Sequence, residues 1–186
     1  MIYYLLYMSE DNNYMIGTHN LNNISLIPKG KNLLIRESTK EGNIPITFKL
    51  YHVNAPFGIE KYAYKELINF EITGKDKYNN AYNNYAKIKQ IDEFFKNEDN
   101  YVKHFDPENM QYRSCLREKD NYDPMVRIHL KKRNRDIQTV FTRKDKIIHP
   151  SDIKGKVCNI EVELGDIWHT QYHYGLVLYV TKVELA

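Results

Sequence analysis

The sequence predicts a mainly β domain in which short antiparallel strands form a closed or partly open barrel with one inserted helix. Several segments alternate apolar and polar residues with a period of two, as strands with one buried face do. A single segment, about residues 80–96, has the three- and four-residue spacing of an amphipathic helix. The 186 residues are enough for one domain with its own core. A β-sandwich is the competing architecture.

We expect a single domain over residues 1–186, with the barrel core at roughly 30–186 and an N-terminal strand extension before it. The apolar start at residues 1–8 lacks the basic segment of a signal peptide, so it is interpreted as a first strand. No stretch is long and apolar enough to span a membrane. Cys115 and Cys158 form neither a metal motif nor a disulfide framework, which indicates a reducing, cytosolic-type compartment.

The strands are assigned from their alternation. Phe48, Leu50 and His52 alternate with Thr47, Lys49 and Tyr51, so the two sets are predicted to lie on opposite faces of one strand. One strand is predicted to end near Leu164, with a loop after it. Residues 174–183 are apolar on both sides, which is typical of a central strand. The predicted strands cover residues 33–36, 47–52, 67–72, 112–117, 126–131, 137–143, 158–164 and 174–183.

The helix is predicted because apolar residues recur on one face between lysines and acidic residues. Asn79 or Asn80 is the predicted cap at its start, and the polar run 97–100 ends it. The apolar face consists of Ala81, Tyr85, Ile88, Ile91 and Phe95.

The strand at residues 126–131 carries the strongest functional signal. Arg127, His129 and Lys131 alternate with apolar residues, so they are predicted to line the face opposite the core. Residues 113–146 hold eleven Lys and Arg against five Asp and Glu, although the whole chain carries a net charge of only +3. A cationic stripe on a rigid sheet fits a polyanion such as a phosphate backbone.

Cations interleaved with aromatic rings are typical of proteins that bind single-stranded nucleic acid, since cations follow the backbone and rings stack on bases. The ring candidates include Phe57, at the tip of the turn 53–61, and Trp168, the only tryptophan. The alternative is a solvated edge strand beside tyrosines that are half buried in the core. The predicted nucleic-acid-binding residues are Arg113, Arg117, Arg127, His129, Lys131, Lys132, Arg133, Arg135, Arg143, Phe57, Tyr112, Trp168, Tyr172 and Tyr174.

Other chemistries have weaker support in the residues. His169 and His173 have a spacing that binds metals on a helix, but they lie in a predicted hairpin loop. Glu161 and Glu163 share a strand face, as carboxylates of metal-dependent nucleases do, but no lysine follows two residues later. We therefore expect a non-enzymatic protein with no metal and no cofactor. A metal-dependent nuclease and a structural protein that docks its basic strand on a partner remain as alternatives.

The order of several short motifs resembles the OB-fold single-stranded-DNA-binding proteins of large cytoplasmic DNA viruses, which are similar to those of tailed phages. The similar motifs are the turn 55–60, the strand 123–130, and the closing segments 155–163, 167–168 and 174–176. In order of elements the resemblance covers residues 44–186. It implies an OB-like barrel and sequence-tolerant binding of single-stranded DNA in viral replication or recombination. Arg127 and its neighbours would contact phosphates, and Trp168 and Tyr174 would lie near the groove.

The resemblance also implies partners and a location. Single-stranded DNA is the expected ligand, with RNA as the open alternative, and replication proteins and a second copy of the chain are further candidate partners. A viral protein of this kind would act in the host cytoplasm or at a viral replication site. Phage-type members end in an acidic tail that recruits replication proteins, whereas this sequence ends Lys-Val-Glu-Leu-Ala, so tail-mediated recruitment is not expected.

Overall fold

The computed structural model describes residues 15–63, 65–72, 83–97 and 110–186, and there the chain is mainly β with one α-helix, as predicted. The predicted first strand at residues 1–8 lies outside these ranges. The helix α1 is Asn84–Lys96, and single turns of 3₁₀ helix occur at Leu21–Asn23 and Pro150–Ile153. The strands are β1 Met15–Ile16, β2 His19–Asn20, β3 Ile24–Lys29, β4 Asn32–Thr39, β5 Gly42–Ile44, β6 Thr47–Ala55, β7 Ile59–Tyr62, β8 Lys65–Glu71, β9 Gln111–Arg113, β10 Leu116–Arg117, β11 Met125–Leu130, β12 Lys132–Arg133, β13 Asp136–Ile137, β14 Val140–Arg143, β15 Lys146–Ile147, β16 Lys156–His169 and β17 His173–Leu185.

Five of these strands close into a ring. The pairs β6–β8, β8–β11, β16–β17 and β16–β6 are antiparallel, whereas β11 and β17 run parallel. Numbered along the chain, the five strands follow the order 1-2-3-5-4-1 around the ring. A five-stranded Greek-key barrel of this kind is the OB-fold. Only one residue pair joins β6 to β8 and only two join β11 to β17, so the barrel is partly open, as predicted.

The other strands extend this barrel. The β3–β4 hairpin pairs with β16, and the β14–β15 hairpin pairs with the last residues of β17. The strands β12 and β13 pair only with each other among the described residues, as a two-stranded ribbon. The predicted strand at 137–143 is therefore divided between this ribbon and β14.

The core is built from the inward faces of the ring strands. On β11, Val126 and Ile128 are fully buried and Leu130 is 3% exposed, while the residues between them lie half-buried on the outside. The predicted alternation of this strand is therefore confirmed. On β8 burial does not alternate, because Leu67 and Asn69 are buried as well as Ile68 and Phe70. The strand lies between β7 and β11, which pair with its two edges.

Two irregularities differ from the sequence prediction. His52 was predicted to share a face with Phe48 and Leu50, but those two residues are buried, whereas His52 is exposed and has a left-handed backbone with φ 52°. Its backbone N–H donates to the Asn159 side chain at 3.1 Å, where the β6–β16 register shifts. The prediction that a strand ends near Leu164 was also wrong, because β16 passes through a register shift at Gly165 and continues to His169.

The helix packs on the core with Ile88, Ile91 and Phe95, as predicted. The predicted caps Asn79 and Asn80 and the predicted helical residues 80–82 lie outside the described residues. Asn84 in the first turn is fully buried, and its amide joins the helix to β6 by accepting from the Tyr51 backbone N–H at 3.1 Å and donating to the Tyr51 carbonyl at 2.6 Å. No helix of the described ranges is long and apolar enough to cross a membrane.

Candidate functional site

A cleft of about 510 Å³ lies on the outside of the barrel, between the β3–β4 hairpin and the strands β8, β11, β16 and β17. We call it the basic cleft. Five of its lining residues are lysine or arginine and two are glutamate, so its charge is positive. The lining residues are Lys29, Asn32, Leu34, Arg36, Lys65, Glu66, His129, Leu130, Lys131, Lys132, Glu163, Trp168, Val177 and Tyr179.

Two aromatic rings of the cleft lie against glycines of the neighbouring strand. A β-carbon on Gly165 would overlap the Tyr179 ring, and one on Gly175 would lie 3.0 Å from Trp168 Cζ2. Each glycine therefore lets a ring approach the opposite backbone closely. Both rings are only half-buried and both line the cleft. The close packing, and for Tyr179 a hydrogen bond from its hydroxyl to Asp166 at 3.0 Å, hold the two rings in place.

A buried carboxylate joins the two walls of the cleft. Glu163 is 3% exposed and lies 3.3 Å from Arg36 Nη1 of β4, and Lys131 Nζ at the end of β11 donates to its other oxygen. A buried carboxylate is stable only when it is paired in this way. The Lys131 side chain nevertheless remains 41% exposed. Glu163 therefore positions two cations at the cleft without burying them both.

A second carboxylate holds the rim. Lys132 Nζ lies 2.8 Å from Glu66 Oε2, and Lys61 lies 3.6 Å from the other oxygen. The hydrogen bond from Lys132, assisted by the two lysine charges, holds the pKa of Glu66 below its usual value. Glu66 is therefore ionised at neutral pH, and it fixes Lys132 at the edge of the cleft.

His129 is neutral at pH 7. Burial, with the charges of Lys65 and Arg127 in addition, lowers its pKa to about 4. Its ring lies edge-on to Tyr179, with the centroids 6.4 Å apart. Arg127, next along the outer face of β11, donates from Nε to the Asn69 side chain at 3.4 Å. The charge of this wall therefore comes from its lysines and arginines, and His129 adds a neutral ring.

Of the aromatic residues predicted to bind nucleic acid, Tyr174 belongs to the core and Tyr112 packs against it half-buried. Tyr174 is 2% exposed and donates to the Phe95 carbonyl at 3.1 Å, and Tyr112 donates to Asp92 at 2.6 Å. Their rings contact each other, with centroids 5.2 Å apart. Burial, and then the Asp92 charge, raises the pKa of Tyr112. The Tyr174 ring is therefore buried and closed to a ligand, whereas the Tyr112 ring is half-buried against the core. Neither residue lines the basic cleft.

Four predicted residues, His129, Lys131, Lys132 and Trp168, line the cleft, and the others lie outside its lining. Phe57 and Tyr172 are exposed in turns, at 58% and 62%. Arg113 is exposed and its guanidinium contacts His173 Nε2 at 2.5 Å. Arg143 lines a separate pocket of about 150 Å³ beside Lys156. The remaining exposed cations are Arg117 on β10 and Arg133 and Arg135 on the ribbon.

Among the cations and rings that line the cleft, sequence reasoning missed four: Lys29, Arg36, Lys65 and Tyr179. Lys29 and Arg36 belong to the β3–β4 hairpin, and no sequence pattern indicated that this hairpin pairs with β16. Tyr179 lies in a strand that is apolar on both sides, which hides its orientation. The signal that could have found it is Gly165, because a glycine inside a strand indicates a close approach.

The carboxylates considered for a nuclease are engaged with other groups. The Glu161 carboxylate accepts from Thr181 at 3.1 Å, and Glu163 holds Arg36 and Lys131 as described. Within the described ranges no three His, Cys, Asp or Glu side chains are grouped so that they could hold a metal ion.

No protein-family model and no curated protein matches this sequence. Among solved structures, the chain is similar to the single-stranded DNA-binding protein from bacteriophage Enc34 in a C-terminally truncated form, at 13% identity and a TM-score of 0.48, over 87% of this chain and 94% of that chain. Independently of this similarity, the order 1-2-3-5-4-1 of the five ring strands is that of the OB-fold.

Proposed function

We propose that the protein binds single-stranded DNA in the basic cleft, without catalysis and with little dependence on base sequence. The observation that supports this most directly is the joint placement of two half-exposed rings, Trp168 and Tyr179, among five cations. A base stacked on an aromatic ring contributes roughly 1–3 kcal/mol, and this gain is similar for all bases because each has a π face. The cations neutralise phosphates along the same strand.

The ring faces favour a single strand over a duplex. Bases inside a duplex are stacked on one another, so only a single strand can offer base faces to the protein. OB-folds bind oligonucleotides or oligosaccharides on the face of their second and third strands, which here are β8 and β11, and residues of both line the cleft. Because a fold hosts many functions, the proposal depends on the residues of the cleft and not on the barrel.

The biological setting is a further part of the proposal. The resemblance of the short motifs to viral and phage single-stranded-DNA-binding proteins supports a role in viral DNA replication or recombination, in the host cytoplasm or at a replication site. RNA remains the alternative ligand, and replication proteins or a second copy of the chain remain proposed partners.

A titration with oligo-dT tests the proposal. Trp168 is the sole tryptophan and lines the cleft, so its fluorescence should change as the strand binds. Tyr179→Ala should weaken binding by about tenfold, since the loss of one stacked base corresponds to roughly 1–3 kcal/mol. Tyr179→Phe is the matched control, because it keeps the ring and removes only the hydroxyl that donates to Asp166; it should bind like the wild type.

Two results would contradict the proposal. One is the absence of binding to oligo-dT at low salt. The other is binding to heparin that equals binding to oligo-dT in both the wild type and Tyr179→Ala, which would indicate a docking surface for any polyanion or acidic partner.

A further inference from the structure

A two-stranded ribbon, residues 132–137, begins at the rim of the basic cleft and leaves the barrel. We call it the basic ribbon. Every residue from 132 to 138 is exposed. At a rise of about 3.3 Å per residue, its tip lies on the order of 10 Å from the rim. It begins with Lys132, which lines the cleft, and carries Arg133 and Arg135 beyond it.

The base of the basic ribbon is fixed to the barrel. The buried Thr139 hydroxyl donates to the Val180 carbonyl at 2.7 Å and accepts from the Lys131 backbone N–H at 3.0 Å. The Gln138 backbone N–H donates to the Lys131 carbonyl at 2.7 Å. The direction in which the basic ribbon projects is therefore set by β17 and β11.

Arg135, at the tip of the basic ribbon, has an unfavourable backbone conformation. Asn134 has φ 51° and Arg135 has φ 75°. A two-residue hairpin turn with both residues left-handed favours Asn-Gly, and only glycine adopts the second position without cost. Arginine in that position indicates that its side chain serves a purpose other than folding. Among the described residues, neither Arg133 nor Arg135 has an ion-pair or hydrogen-bond partner for its guanidinium.

We infer that the basic ribbon enters the major groove of duplex DNA beside a single strand held in the basic cleft, so that the protein prefers a single-strand–duplex junction. This inference rests on the proposed function of the cleft. The major groove of B-DNA is about 12 Å wide and about 8.5 Å deep and admits a two-stranded ribbon. A ribbon that projects about 10 Å matches that depth. Its two free guanidiniums lie where the phosphates and base edges of the groove would be.

The test compares five probes. Four of them carry the same dT tail: the tail alone, the tail on a DNA duplex in each of the two polarities, and the tail on an RNA duplex. The fifth is a blunt DNA duplex without the tail, which the wild type should bind less tightly than the tailed DNA duplex. The wild type should bind one tailed DNA duplex about tenfold more tightly than the tail alone, with a steeper salt dependence, because the ribbon adds about two phosphate contacts. The tail on an RNA duplex should give no gain, since the major groove of A-form RNA is too narrow to be entered.

The variant Arg133→Ala/Arg135→Gly removes both cations of the tip. It should lose the gain for the tailed DNA duplex and keep the wild-type affinity for the tail alone. Glycine relieves the left-handed position, so the melting temperature should be equal to that of the wild type or higher. Lys40→Ala/Lys96→Ala is the control for loss of two charges, since both lysines are exposed, one in the β4–β5 turn and one in the last turn of α1. It should keep the gain.

Three outcomes overturn the inference while leaving binding in the cleft intact. These are equal wild-type affinity for the tail and the tailed DNA duplexes, an equal gain from the RNA duplex, and a uniform loss on all probes in the ribbon variant. A failure of the proposed function is distinguishable, because the tail alone would then not bind to the wild type.

Discussion

At the scale of single residues, the basic cleft depends on side chains whose protonation or position is set by the residues around them. His129 is the clearest case, because a histidine on a cationic wall would ordinarily be expected to add charge. Burial and the nearby cations instead lower its pKa to about 4, so it enters the cleft as a neutral ring. The rings of Trp168 and Tyr179 similarly depend on glycines opposite them. The charge and the ring positions of the cleft therefore depend on the residues that surround these side chains as well as on the side chains themselves.

The low pKa of His129 predicts a specific pH dependence of stability. In the unfolded chain the imidazole has its ordinary pKa of 6.5, so between pH 6.5 and 4 unfolding takes up a proton. Stability therefore falls as the pH falls through this window, by about 2 kcal/mol at pH 5 from this residue alone. Urea unfolding of the wild type and of His129→Gln at pH 7 and pH 5 measures the effect. The loss between the two pH values should be smaller in the variant by this amount.

The comparison of the wild type with His129→Gln isolates the effect of His129, because all other titratable groups are present in both proteins. Glu66 has a lowered pKa, so it contributes to stability above its usual value of 4.5 and loses that contribution at lower pH in the wild type and in the variant alike. Equal losses of stability in the two proteins between pH 7 and pH 5 would show that His129 titrates normally.

At the scale of elements, the helix is held to the barrel by a buried polar cluster around Asp92. Asp92 is 7% exposed and accepts hydrogen bonds from Tyr112 at 2.6 Å and from the Ser114 hydroxyl. These donors belong to β9 and the residue after it, so Asp92 joins α1 to the segment that pairs with the start of β17. Elements far apart in the sequence are thereby fixed at one end of the barrel.

Removal of this carboxylate should destabilise the fold. Asp92→Ala removes the acceptor of the half-buried Tyr112 hydroxyl and leaves the exposed Ser114 hydroxyl to water, and one unsatisfied buried donor costs about 1–3 kcal/mol. Chemical denaturation should therefore show a loss of at least about 1 kcal/mol. Glu93→Ala, at the exposed next position of the helix, is the control and should change stability by less than about 0.5 kcal/mol. A loss in Asp92→Ala no larger than in the control would mean that the cluster does not stabilise the helix.

The elements also show what the sequence could and could not predict. Alternation identified β11 correctly because that strand has one buried face, and a one-residue shift would expose its whole apolar set. The same reasoning failed at His52, because β6 has a bulge there where it pairs with β16. Such a bulge arises from the pairing of the two strands and is not visible in the apolar–polar pattern of the sequence. Tyr174 and Tyr179 lie in one strand that is apolar on both sides, so alternation gave no means to decide which ring is buried.

At the scale of the whole molecule, the basic cleft is assembled from parts that are distant in the sequence. The cations Lys29 and Arg36 come from the β3–β4 hairpin, Lys65 from β8, and Lys131 and Lys132 from the two residues after β11, where the basic ribbon begins. The charge pattern of the sequence predicted Lys131 and Lys132, and the alternation of its strands predicted the barrel. The sequence did not predict Lys29, Arg36 or Lys65, because the cleft forms only where the β3–β4 hairpin pairs with β16.

The distribution of these cations predicts the salt dependence of binding. A strand that contacts four to five of them should give a plot of log K against log salt with a slope of roughly −3, at about −0.7 for each phosphate. Lys131→Ala/Lys132→Ala removes two contacts and should flatten the slope by about 1.4, with a similar loss of affinity for oligo-dT, oligo-dA and mixed sequences. Fluorescence titrations between about 50 and 200 mM salt measure both slopes.

Lys40→Ala/Lys96→Ala should keep the wild-type slope, because neither lysine lines the cleft. A wild-type slope near zero, or equal flattening in the control, would mean that phosphates are not bound by this set of cations.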